Sequence, residues 1–237
     1  MILSERELKI YSQNGEDGVI QAIFEVIGTT NQQSLEFGAH PRECNTKLLR
    51  AKGWNILCWD LEPHPEEWFA QELVTVSNIN TLYRKHHLPL ELDFLSIDVD
   101  SNDFHLWHVL APDILPRVVC IEYNSALGAF DDLVVPMQEQ VFWDGSRYFG
   151  ASIQAMALLG RKRGYTLVYA EKNGTNLFFV RNDQCPPGTF PNQGQVVDLF
   201  APPAYGVNRE GHPVDPFERP FQCSRDYLRY NLQARIP

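Results

Sequence analysis

The chain has 237 residues and a formal net charge of −10, from 30 acidic and 20 basic side chains. That carboxylate excess argues against a broad surface tracking the phosphates of DNA or RNA. Apolar residues make up 44% and charged residues 21%, which excludes a disordered class, and the longest apolar runs, such as VVCI at 118–121, are too short to span a bilayer.

The opening segment MILSERELKIYSQNGEDG has no basic stretch followed by an apolar one, so no signal peptide is expected. Cys44, Cys58, Cys120, Cys185 and Cys223 are odd in number and form no C-x-x-C pair, which predicts neither a disulfide framework nor a structural zinc site. A reducing, cytoplasmic setting is the expectation.

In chain order, Asp17 to Ile27 reads as a helix with Glu16 and Asp17 at its start, where carboxylates complement the helix dipole. Five β-rich runs follow: SLEFGA at 34–39, NILCWDL at 55–61, LVTVS at 73–77, LDFLSIDV at 92–99 and RVVCIEYN at 117–124. Most are continuous apolar runs, as in strands covered on both faces of a parallel sheet. Helix-compatible segments at Asn45 to Ala51 and Phe104 to Leu110 alternate with them, an α/β pattern. His86 and His87 fall in a linker.

Residues 151–163 carry an apolar helical face ending at Gly164, with Arg161, Lys162 and Arg163 in the last turn, where cations suit the dipole. YTLVYAEK and NLFFVRN then flank an Asn-Gly-Thr turn at 173–175, which predicts an antiparallel hairpin at the sheet's edge. From Cys185 prolines recur, at 186, 187, 191, 202, 203, 213, 216 and 220, and a helix is expected over Ser224 to Gln233. Residues 1–184 therefore read as one α/β domain, and 185–237 as an extension packing on it or on a partner.

The densest chemistry lies at residues 93–103, DFLSIDVDSND. Leu95, Ile97 and Val99 suit a core, but Asp98, Asp100 and Asp103 do not. Ligands of open parallel sheets sit outside the carboxyl ends of the strands, so aspartates there mark a candidate site. A helix cap is the competing reading, and one cap needs a single aspartate. Asp60, where the second run ends, is placed to accept the hydroxyls of a ribose, as acidic groups do in dinucleotide-binding sheets. Asn78 and Asn80 suit either an adenine contact or an Asx turn.

YSQNGEDGVIQAIFEVIG at 11–28, LEFGA at 35–39, NTKLL at 45–49, LDFLSIDVDSND at 92–103, RVVCIEYN at 117–124, YFGAS at 148–152, and GYTLV with NLFFVR near 164–181 resemble, in order, the landmarks of a bacterial family related to FkbM-type methyltransferases. The resemblance covers residues 11–181 and leaves out 185–237. It implies a Rossmann-like class I methyltransferase sheet, mostly parallel with an antiparallel C-terminal hairpin, and S-adenosylmethionine as cofactor. It further implies that Glu36 and Gly38 lie beneath the methionine part of that cofactor and that Asp98 lies near the methyl donor. Gln13 and Asn14 become cofactor contacts on the same ground.

The expected activity is O-methylation of a small-molecule or saccharide hydroxyl, in polysaccharide or natural-product biosynthesis. The expected partner is that acceptor, not a nucleic acid or a membrane, with assembly into a homo-oligomer left open. Asp98, Asp100, His105 and Glu122 are the catalytic candidates, the base being drawn from Asp100, Glu122 and the helical pair His105 and His108. Asp98, Asp100 and Glu122, near Asn124, also offer hard oxygens to Mg²⁺. Trp107, Trp143 and Tyr148 are candidate stacking faces for a sugar.

The chain departs from its relatives at GAHPRECNT, where His40, Pro41 and Arg42 replace a flexible acidic turn, and Ser101 stands where they have a glycine. Pro41 removes an amide donor and Arg42 brings a cation. A drifted turn in a working enzyme is the favoured account. The others are a loop for a changed ligand, a non-catalytic scaffold domain, and another S-adenosylmethionine-using transferase.

Overall fold

The computed structural model describes residues 1–138 and 143–233. Helix α1 (Glu16–Ile27) starts where Asp17 Oδ2 gathers the backbone amides of Ile10, Tyr11 and Ser12 at 2.6–2.8 Å and the Ser12 hydroxyl at 2.9 Å. One buried carboxylate thus fixes the polar opening segment against the helix. Gly28 ends the helix with φ of +67°, a region that favours glycine.

Strands β1 (Gln33–Phe37), β2 (Asn55–Asp60), β3 (Phe69–Gln71), β4 (Phe94–Ile97) and β5 (Val118–Glu122) are parallel. Helices α2 (Lys47–Ala51), α3 (Ile79–Lys85) and α4 (Asp103–Val109) connect them. After a two-residue strand β6 (Leu133–Val134), helix α5 (Ile153–Arg163) leads into the hairpin of β7 (Tyr165–Ala170) and β8 (Asn176–Arg181). The seven-stranded sheet runs β3-β2-β1-β4-β5-β8-β7, and β8 is antiparallel to both neighbours. The expected mostly parallel sheet with an edge hairpin is present.

Both faces of the sheet are covered, which is why its strands read as continuous apolar runs. Leu35, Phe37, Leu95, Ile97, Val119 and Ile121 pack with Phe104, Trp107, Met156 and Leu159 from α4 and α5. On the other face Ile56, Cys58, Phe94, Val118 and Phe178 pack with Val19, Ile20 and Ile23 of α1. Each fully buried Leu, Ile, Val or Phe stabilises the fold by about 1.5–3 kcal/mol before conformational entropy is counted.

Two expectations change. LVTVS at 73–77 is not a strand, because Asn78 Oδ1 accepts from the Thr75 amide at 2.8 Å and Asn78 Nδ2 donates to the Leu73 carbonyl at 2.8 Å. These bonds take backbone groups that a ladder needs and turn the chain into α3. The edge strand β3 forms upstream, pairing Phe69, Ala70 and Gln71 with Cys58, Trp59 and Asp60. His86 then closes α3 instead of lying in a linker, with its Nε2 2.7 Å from Glu72 Oε1.

Ser152 caps α5 by accepting from the Ala155 amide, and Gly164 ends the helix at φ +85°. Beyond the hairpin, Cys185, Phe190 and Val196, the last of these opening the short helix α6 (Val196–Leu199), are buried in the two cores. The proline-rich stretch crosses the carboxyl end of the sheet: the Tyr123 hydroxyl donates to Ala201 O at 2.6 Å, and the Arg147 amide to Pro213 O at 2.8 Å. Strand β9 (Gln222–Cys223) pairs with β6 and leads into helix α7 (Ser224–Gln233). No helix among the described residues is long and apolar enough to cross a membrane.

Candidate functional site

The strand order reverses between β1 and β4, and the chain leaves both strands there into loops that diverge. Gly38 and Asp98 face each other at this point. Gly38 has φ of +71°, and a Cβ on it would lie 1.6 Å from the Asp98 carbonyl oxygen. Glycine is therefore required by the close approach of two backbones, a reason different from the cofactor contact that the family resemblance implies.

Two clefts open here, sharing Gly38 and Asp98. The larger, of about 280 Å³, is walled by Trp59, Asp60, Leu61, Glu72 to Thr75, Val99, Asp100, Asn102 and Trp143. The smaller, of about 130 Å³, is lined by Gln13, Glu36, His40, Glu43, Asn45 and Asn176. Among the described residues neither lining contains a lysine or an arginine. Arg42 is exposed and lines neither cleft, so the cation of the GAHPRE turn does not enter the site.

The loop after β4 is held by Asp103, whose carboxylate accepts from the Val99 amide at 2.8 Å and the Ser101 amide at 3.1 Å. This supplies the capping role that needs one aspartate. Burial raises the Asp103 carboxyl to about 7. Asp100 takes the left-handed conformation, φ +58°, which aspartate tolerates better than most residues. Because the positive-φ turn residue is Asp100, the backbone at position 101 accommodates a serine.

Asp98, Asp100 and Glu122 are brought together, with one oxygen of each within 4.8 Å of the others. Among the described residues no hydrogen bond or ion pair reaches any of the three carboxylates, and Glu122 Oε2 is buried without a partner. Burial raises Asp98 and Glu122 well above the usual carboxylate range, and repulsion adds to it: from Asp103 and Asp100 on Asp98, and from Asp98, Asp103 and Asp100 on Glu122. Burial also raises Asp100, against the opposing influence of His212.

Asp60 ends β2 on the wall of the larger cleft, accepting from the Glu62 amide at 2.9 Å and lying 3.0 Å from His64 Nε2. Glu36 lines the smaller cleft, but both its oxygens are taken: by the Asn45 and Thr46 amides at 2.9 Å, the Thr46 hydroxyl at 2.7 Å and Cys44 Sγ at 3.0 Å. Its burial pushes the carboxyl up, against those bonds. Glu36 thus secures the turn into α2.

Asn14 lines neither cleft; it bonds Thr175 and Asn173, tying the opening segment to the β7–β8 turn. Asn78 forms the Asx turn described above, Asn80 bridges α3 to Val109 and Ala111, and neither lines a cleft. His105 is fully buried on α4, 2.8 Å from Val135 O through Nε2, and burial depresses it to about 4. It is neutral at pH 7 and lines neither cleft. His105 and His108 do share a face, both packing on Tyr227. Asn124 is saturated, donating to Arg147 O and Phe149 O. Of the aromatic candidates, Trp143 lines the larger cleft, whereas Trp107 is core.

The wall formed by Leu73 to Thr75 escaped the sequence reading because that segment passed for a strand, and Trp59 was read only as part of β2. Asn176 escaped it as well, although an asparagine opening an otherwise apolar strand was a usable signal. Its Nδ2 donates to Glu16 Oε1 at 2.9 Å, and its buried Oδ1, beside the smaller cleft, accepts nothing. No protein-family model matches the chain, and no curated protein matches it.

Proposed function

We propose that the chain is an S-adenosylmethionine-dependent methyltransferase acting on a hydroxyl of a small or saccharide-like acceptor. The observation that carries this reading is a cleft at the reversal of strand order, walled by carboxylates at the ends of β2 and β4 and free of lysine and arginine. Such a site favours a nucleoside bearing positive charge and disfavours a phosphorylated one. The order β3-β2-β1-β4-β5-β8-β7, with only β8 reversed in the large sheet, supports the class I methyltransferase fold implied by the resemblance.

The residues present fit the cofactor. Asp60 would accept from the ribose hydroxyls, with Val74 and Thr75 beside the base. The orphaned Asn176 Oδ1 and the free Asp98 carboxylate would accept from an ammonium in the smaller cleft. When bound, the cofactor supplies an activated methyl group on a sulfonium leaving group. The protein's task is then alignment and exclusion of water, with Trp59, Leu73, Val74 and Trp143 as apolar walls. Asp100 or Glu122 would take the acceptor's proton.

Calorimetric titration of the purified chain with S-adenosylmethionine and S-adenosylhomocysteine, beside ATP and NAD, tests the reading. Binding of the first two without the phosphorylated pair is expected. Absence of binding to folded protein would instead favour the non-catalytic scaffold.

A further inference from the structure

The fully buried carboxylates of this protein are supplied with donors. Asp17, Glu36, Asp93 and Asp103 each accept at least two hydrogen bonds. Asp98 and Glu122, partly buried, and Asp100, exposed, accept none among the described residues, although one oxygen of each lies within 4.8 Å of the others. Ligand oxygens around one small divalent cation lie about 3–4 Å apart, so modest side-chain adjustment brings the three to a common centre.

A second observation comes from a neutral group. Asn102 is 6% exposed and lines the same cleft wall as Asp98 and Asp100. Its Nδ2 is used, donating to Gln138 O at 2.7 Å, but its Oδ1 is buried and accepts nothing. With Glu122 Oε2, also buried without a partner, it gives two hard acceptors that the protein leaves unsatisfied. Neither thiol nor imidazole belongs to the cluster of three, which disfavours a soft or borderline metal.

We propose that Asp98, Asp100 and Glu122 bind one hard divalent cation, Mg²⁺ or Mn²⁺, with Asn102 Oδ1 beside it, at the carboxyl edge of β4 and β5. This goes beyond the methyl-donor reading and stands without it. A cation there sits at the end of the larger cleft, and its open coordination positions select acceptors that present two adjacent oxygens, such as a vicinal diol.

The test uses the full chain stripped with EDTA and titrated with Mn²⁺, read by electron paramagnetic resonance with no nucleoside present. One Mn²⁺ per chain is expected, displaced by excess Mg²⁺, with affinity falling at least about tenfold in Glu122→Gln and in Asp100→Asn. Glu67→Gln, at an exposed acid paired with Arg50, is expected to leave affinity unchanged. Absence of binding, or unchanged affinity in both cluster variants, overturns the assignment. Thermal unfolding separates a folding defect from a lost ligand: in EDTA both variants melt no lower than the parent, and Mn²⁺ raises the melting temperature of the parent alone. An equal rise in all three also overturns it. Because the cation is titrated alone and the methyl donor can be titrated in EDTA, failure of either reading leaves the other standing.

Discussion

Asp93 and Asp98 bracket the same strand, β4, and meet opposite surroundings. Asp93, at the amino end, accepts from the amides of Thr30, Asn31 and Gln32 at 2.7–3.1 Å and pairs with Arg117 at 2.8 Å. Arg117 is in turn held by the carbonyls of Ile27 and Gly28. Burial alone would raise the Asp93 carboxyl, but Arg117 and the loop amides hold it below its ordinary value. Asp98, at the carboxyl end, has no such donors among the described residues, and burial with like-charged neighbours raises it. Residue type and strand are shared, so the difference lies in who supplies the donors. The amino end is finished by the protein itself. The carboxyl end is not finished in this way among the described residues.

The largest effect is expected from breaking the finished end. Arg117→Met leaves Asp93 buried and unpaired, and should cost about 3–5 kcal/mol in urea unfolding while sparing ligand affinity in the protein that remains folded. Next comes the junction of the two backbones. Gly38→Ala places a Cβ against the Asp98 carbonyl in a left-handed conformation and should cost roughly 2–3 kcal/mol, weakening S-adenosylmethionine binding by displacing Asp98. Normal affinity in that variant would contradict the placement of Asp98 in the site.

The smallest effect concerns the unfinished end and has a definite sign. Glu122 binds its proton more tightly folded than unfolded, so its contribution is fully present below the ordinary carboxylate range and is lost as pH rises through the raised value. Glu122→Gln cannot ionise. In EDTA it should therefore melt with the parent near pH 4 and above it at pH 8. A gap that closes as pH rises would show that burial and the neighbouring carboxylates do not raise Glu122. Mn²⁺ should narrow the gap at pH 8, since a bound cation removes the same repulsion in the parent alone.

The same contrast explains what could be read in the residues beforehand. Continuous apolar runs identified four parallel strands, and the Asn-Gly-Thr turn identified the hairpin, because burial on both faces and turn chemistry are local signals. LVTVS misled because its β propensity lost to the side-chain bonds of Asn78, which a propensity argument does not weigh. The two-residue strands β6 and β9 are too short to carry a period. In the site, Asp60, Asp98 and Asp100 were legible as carboxylates at strand ends and do line the larger cleft. Glu36 and Asn14 were equally polar and equally near. Whether an acceptor is satisfied depends on donors from distant segments, such as Thr175 for Asn14, and the local sequence does not show them.

Hydrogen exchange with and without S-adenosylhomocysteine tests most directly whether the carboxyl end of the sheet is the ligand site. Slower exchange is predicted in residues 59–75 and 98–102, around the larger cleft, with residues 28–33 at the Asp93 end unchanged. Protection confined to the amino end, or none despite measurable binding, would contradict the account.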